Sequence, residues 1–141
     1  DEIHTNEELD ALLPDTDILV LALPATGETK NILSAERIAL LPRRAYVVNV
    51  GRGSAIDQTA LVDALNAGRI AGAALDVFQR EPLPENDPAW TAKNLIVTPH
   101  ISGQMSLGYT RDRNVELFCE DLERYGKGEK PVRLVDRKIG Y

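Results

Sequence analysis

Four side chains suited to chemistry fall at or just beyond the ends of three short apolar runs. Arg52 sits in "NVGRGS" (49–54), Asp76 in "AALDVF", Glu81 in "REPLP" and His100 in "VTPHIS". Histidine is the side chain best matched to moving a proton near neutral pH. A carboxylate beside it fixes the tautomer and stabilises the charged ring. Arginine offers a planar, two-pronged grip on a carboxylate. A proton donor with a carboxylate clamp fits a 2-oxo or 2-hydroxy acid, and the hydride such a reaction needs would come from a nicotinamide cofactor. Taken singly, each residue also has a structural reading. Gly51 and Gly53 could serve only a tight turn, Arg52 a surface ion pair, Asp76 a cap, Glu81 ordinary loop polarity, and His100 a hydrogen-bonded strand end. Their convergence is what favours a site.

The elements around them predict that convergence. "DILVLALP" (17–24), "AYVVNVG" (45–51), "AGAALDVF" (71–78) and "LIVTPHIS" (95–102) read as buried strands. Helical segments alternate with them. "TNEELDALL" opens with a capping-box pattern, Ser34 can cap "SAERIALLP", and Asp57 can cap "DQTALVDALNAG" with Gly68 at its end. Alternation of this kind predicts an α/β fold, a parallel sheet covered on both faces with right-handed crossovers. Ligands of such sheets bind beyond the carboxyl ends of the strands, where the four residues lie. "QREPLPENDPAWTAKN" reads as a loop. A longer helix from about Met105 to Tyr125 carries Val115, Phe118, Leu122 and Tyr125 on one face and is expected to lead to another body of structure, and the tail "PVRLVDRKIGY" reads as extended.

Composition narrows the remaining classes. A chain of 141 residues can bury one ordinary core, and a formal net charge of −6 argues against a nucleic-acid or anionic-membrane partner. The apolar run Ile18 to Ala25 is too short to cross a bilayer. Cys119 is the single cysteine, so a reducing, cytoplasmic setting is the default, with the thiol expected to be buried in its helix. No Cys/His cluster has metal-ligand spacing, and "GRGS" lacks the spacing and lysine of a P-loop. The first residue is Asp1 rather than Met, so targeting is only weakly constrained.

Through "LPATGETKNIL" (23–33), "VVNVGRGSAIDQTALVDAL" (47–65), "GAALDVFQREPLP" (72–84) and "VTPHISG" (97–103), the chain closely resembles the D-isomer-specific 2-hydroxyacid dehydrogenase family. The "EPLPENDPAW" loop resembles its glyoxylate/hydroxypyruvate reductase branch. The resemblance implies part of a doubly wound, Rossmann-type sheet. Residues 1–104 would be the C-terminal half of an NAD(P)-binding domain, and 105–141 a linking helix and return segment of a substrate domain that is largely absent. It implies that Arg52 binds the substrate carboxylate and carbonyl oxygen, that His100 is the acid/base, and that Glu81 pairs with His100 and favours its protonated form. Asp76 would bond the nicotinamide carboxamide or ribose side of the cofactor. Leu23, Pro24 and Thr29 would line the adenosine-to-ribose path, Val50 and Gly51 would pass under the nicotinamide, and Ser102 and Gly103 would add backbone contacts. Formate dehydrogenases of the superfamily carry glutamine where this chain has Glu81, which favours a 2-hydroxy acid over formate. Family members are usually homodimers. They also carry a Gly-rich pyrophosphate loop and an NAD/NADP-selecting residue that these 141 residues lack. The isolated chain is therefore expected to be inactive, and NAD is not separable from NADP. The alternative reading is a non-enzymatic NAD-sensing module like the family's corepressor relatives.

Overall fold

The computed structural model describes residues 2–103 and 107–138. They form two compact units, 1–102 and 103–141. In the first unit, four parallel strands lie in sequence order: β1 (Ile18–Leu21), β2 (Tyr46–Asn49), β3 (Gly72–Leu75) and β4 (Leu95–Val97). Before β1 comes a single helical turn, α1 (Leu9–Leu12), with 3-10 turns on either side. Glu8 reaches back to the Thr5 N–H at 2.8 Å, the half of the capping box that holds this entry turn.

Two crossover helices connect the first three strands, α2 (Ala35–Leu40) and α3 (Gln58–Asn66). Both start where the sequence places a cap. Ser34 Oγ accepts from the Arg37 N–H, and Asp57 Oδ1 accepts from the Ala60 N–H at 3.0 Å. The last turn of α3 runs into Gly68, whose φ of +65° is the left-handed conformation that favours glycine. Leu61, Val62 and Leu65 of α3 pack with Ile38 of α2, Leu13 and Leu33 on one face of the sheet. Each such leucine buried completely contributes about 2–3 kcal/mol of apolar burial.

Strand register sorts the apolar runs into two faces. Leu19, Val47, Ala73 and Leu95 are aligned across the sheet, as are Leu21, Asn49, Leu75 and Val97, and these rows face the core. Ile18 pairs with Tyr46, and Val20 with Val48, Ala74 and Ile96, on the opposite face. Ile18, Val20, Tyr46 and Ile96 stay more than half exposed. The expectation of a sheet covered on both faces therefore holds for one face only among the described residues. The cause is directional: strands that step one way through right-handed crossovers place every connecting helix on the same side.

The second unit is α4 (Gly108–Gly126) and the segment after it. The expected start at Met105 lies outside the described residues. Val115, Phe118, Leu122 and Tyr125 are all exposed. Cys119, expected to be buried, is exposed as well, because within its unit nothing covers this short helix–tail pair. The tail is not simply extended. The N–H groups of Val132 and Arg133 donate to the Asp121 carboxylate at 2.7 and 3.2 Å, and Arg133 pairs with Glu120, which turns the chain back along α4. No helix is long and apolar enough to cross a membrane, and no acidic, His or Cys cluster could hold a metal ion among the described residues.

Candidate active site

At the end of β2 the chain enters the loop that carries Arg52. Its two glycines are required by neighbouring backbone. A Cβ on Gly51 would lie 2.5 Å from the Leu23 N, and one on Gly53 would lie 1.9 Å from the Phe78 carbonyl carbon. Glycine is thus the residue that lets this loop press between the ends of β1 and β3. Asn49, only 1% exposed, supports it from beneath: its Oδ1 accepts from the Gly51 N–H at 3.1 Å and its Nδ2 donates to the Arg52 carbonyl at 3.0 Å. One guanidinium N–H donates to the Gly51 carbonyl at 2.8 Å. The guanidinium side chain is otherwise solvent-facing, and no carboxylate lies within 4.0 Å of it among the described residues.

The 76–81 loop and the segment after β4 bring Glu81 and His100 together. Glu81 Oε2 lies 2.7 Å from His100 Nδ1, while its Oε1 accepts from the Phe78 N–H at 2.8 Å. Both carboxylate oxygens are therefore committed, which aims the carboxylate at the ring. Burial pushes the Glu81 carboxyl up, but the hydrogen bonds from His100 and the Phe78 N–H, with the charges of His100 and Arg52, hold it below its ordinary value. With Nδ1 engaged, Nε2 is the ring nitrogen left to meet a ligand.

His100 itself does not lie in a strand, as the sequence suggested. β4 ends at Val97, Pro99 has no N–H to extend the ladder, and His100 adopts a left-handed backbone with φ +55°. Asp76 holds this turn. Its carbonyl accepts the His100 N–H at 2.9 Å, and its carboxylate accepts from Thr98 Oγ1 at 2.5 Å and from the N–H groups of Ile101 and Ser102 at 3.0 and 2.9 Å. Asp76 is 4% exposed. Burial alone would raise its carboxyl, but the hydrogen bonds from Ser102, Thr98 and Ile101 outweigh it and hold it far below the usual carboxylate range.

Two concavities flank this knot. The larger, about 720 Å³, is lined by Glu81 and His100 together with apolar Phe78, Pro82, Leu83, Trp90 and Val97. The smaller, about 370 Å³, lies at the carboxyl ends of β2–β4 on the open sheet face, between Val50, Ala74, Ile96 and Ile101, with Ser102 at its edge. Asp76 and Thr98 line both. An apolar slot with a polar rim fits a flat heteroaromatic ring that carries an amide, so the donor set suits a nicotinamide.

Arg52, Asp76, Glu81, His100, Val50, Gly51 and Ser102 all sit at this one edge. Leu23 joins them through its backbone, against Gly51. Pro24 and Thr29 belong to the next loop, where Thr29 Oγ1 donates to the Pro24 carbonyl at 2.6 Å and accepts from the Thr26 N–H, so its hydroxyl shapes the loop. Gly103 belongs to the second unit. Sequence reasoning missed Asn49, Thr98 and Trp90. An asparagine closing an apolar strand was the available signal for the first. Trp90, whose indole N–H donates to the Pro84 carbonyl at 2.8 Å, closes the proline-rich loop and carried no motif.

Residues 1–102 match the family model for the D-isomer specific 2-hydroxyacid dehydrogenase NAD binding domain. A glyoxylate reductase of Thermofilum pendens is 41% identical over 132 residues, covering 94% of this chain and 38% of that protein. Glyoxylate/hydroxypyruvate reductase A of Salmonella paratyphi B is 38% identical over 136 residues, 96% of this chain and 42% of the relative. Among solved structures, a D-isomer specific 2-hydroxyacid dehydrogenase of Xanthobacter autotrophicus in complex with NADPH and MES aligns with a TM-score of 0.84 at 40% identity, over 99% of this chain and 56% of that one. An NADPH-dependent glyoxylate/hydroxypyruvate reductase of Sinorhizobium meliloti in complex with NADP and sulfate aligns at 0.85 and 32% identity, over 99% and 45%. The chain thus spans roughly two fifths of the length of these curated relatives.

Proposed function

The chain belongs to the D-isomer-specific 2-hydroxyacid dehydrogenase family, and from that premise we propose that it carries the catalytic edge of an NAD(P)-dependent reductase of small 2-oxo acids, of the glyoxylate and hydroxypyruvate class. The observation that supports this most is the 2.7 Å His100–Glu81 pair, set beside the Arg52 loop and fixed through Phe78 and Asp76. A reduced nicotinamide, when bound, supplies the hydride.

The residues divide the remaining work. Arg52 grips the substrate carboxylate and orients the carbonyl. His100 delivers a proton from Nε2 to the carbonyl oxygen as the alkoxide forms, and takes it back in the oxidative direction. Glu81 holds the ring through Nδ1 and balances its charge. Asp76, Val50, Gly51 and Ser102 form the nicotinamide side, Leu23, Pro24 and Thr29 the path toward the ribose, and Gly103 continues the chain beyond it. Residues 1–104 act as the C-terminal half of the nucleotide-binding domain and 105–141 as the linker and return to a substrate domain. A homodimer and a cytoplasmic setting accompany this reading. The cofactor's 2′ group is left open, NAD or NADP.

The test is consumption of NADH and NADPH by the intact protein with glyoxylate and with hydroxypyruvate. Saturable turnover with either acid is the expected result. Tight NAD(H) binding with no turnover of any small 2-oxo acid would replace this reading with that of an NAD-sensing module.

A further inference from the structure

We infer that Asn49 is a positioning residue that sets the direction of Arg52, an inference that rests on the reading of Arg52 as the carboxylate clamp. Asn49 stands on the core-facing side of β2, in one row with Leu21, Leu75 and Val97. A carboxamide in that row costs stability unless its polar atoms are satisfied. Both of its functional atoms are spent on the next three residues: Oδ1 on the Gly51 N–H and Nδ2 on the Arg52 carbonyl. Nothing in that pattern serves the core. It pins the peptide unit entering Gly51 and the one leaving Arg52, so the Gly51–Arg52 dipeptide is held between two anchored planes.

The packing around the loop leaves that dipeptide little room. Gly51 meets the Leu23 backbone, Gly53 meets the Phe78 backbone, and the Asn49 carbonyl accepts the Asp76 N–H at 3.0 Å. Asparagine is the side chain that reaches residues two and three ahead with one donor and one acceptor. Leucine, its apolar isostere, leaves the buried Gly51 N–H without its partner. Aspartate keeps that bond but turns an oxygen toward the Arg52 carbonyl. In either variant Arg52 is free to swing, and in the aspartate variant Gly51 also stays in place.

The experiment uses the intact protein and oxalate, a dicarboxylate analogue of a 2-oxo acid, as a probe of the clamp. Asn49→Leu and Asn49→Asp are expected to raise the KM of the 2-oxo acid and the inhibition constant of oxalate about tenfold or more. In Asn49→Asp, where the Gly51 N–H keeps its acceptor, the NAD(P)H dissociation constant should stay within about twofold. Arg52→Ala is run in parallel. If Asn49 works through Arg52, adding Asn49→Asp to Arg52→Ala produces no further loss in oxalate binding. If Asn49→Leu does not fold, Asn49→Asp and the double variant still decide the matter. Unchanged oxalate binding in Arg52→Ala would sink the clamp reading itself. A loss in Arg52→Ala with none in the Asn49 variants, or full additivity in the double variant, would overturn the inference alone.

Discussion

The bond between His100 Nδ1 and Glu81 Oε2 decides which imidazole nitrogen can act, so the residue scale turns on one carboxylate. Glu81 is held ionised below the usual carboxylate range, and it faces the ring across the working range of pH. Glu81→Gln removes that negative charge while keeping an acceptor. We expect the basic limb of the pH profile for reduction to move to lower pH, because the protonated ring loses its counter-charge, with a smaller change in KM. An unmoved limb would show that the pair is only structural. Asp76 poses a different problem, since its depressed carboxyl belongs to folding. A group whose carboxyl is lowered in the folded state adds stability above its unfolded value, and loses it as pH falls through the folded value. Asp76→Asn should therefore cost about 2 kcal/mol near pH 7. The gap to the wild type should close as pH drops below about 4. Unfolding midpoints across that range check both the size and the sign.

At the scale of elements, the strands deliver loops rather than side chains. The β2 loop is shaped by backbone-to-backbone approach, and that makes Gly53 the least replaceable residue in it. Gly53→Ala is expected to destabilise by about 3 kcal/mol, because the Phe78 carbonyl has nowhere to retreat from the added methyl. Gly27→Ala, where nothing lies within 4 Å, serves as the matched control and should change stability by no more than about 0.5 kcal/mol. Equal effects of the two substitutions in a thermal melt would contradict the packing account. This is also where the sequence was most and least informative. The order of strands and helices, the caps at Ser34 and Asp57 and the turn at Gly68 were legible because each rests on local chemistry. The glycines of "NVGRGS" were legible as a requirement but not in their cause, which is contact with β1 and β3, distant in sequence. The Asn49 and Asp76 hydrogen bonds were hidden for the same reason: a polar residue announces itself in sequence, its partner does not.

For the whole molecule, the unequal faces of the sheet carry the message. Apolar runs in β1–β4 predicted burial on both sides, yet only the α2–α3 side is covered among the described residues. Periodicity could not reveal this, since a continuously apolar strand reads the same whether one face or both are covered. The open apolar face, with an exposed stripe on α4, predicts that these 141 residues expressed alone self-associate. Light scattering on the isolated chain checks this, and a monodisperse preparation would refute it. The central claim, that this edge reduces a 2-oxo acid with His100 as proton donor, is tested most directly by comparing glyoxylate and hydroxypyruvate reduction in the intact protein and in its His100→Ala variant. The account predicts clear turnover in the first and a loss of about 100- to 10,000-fold in kcat in the second, with NAD(P)H binding retained; near-normal kcat in His100→Ala would contradict it.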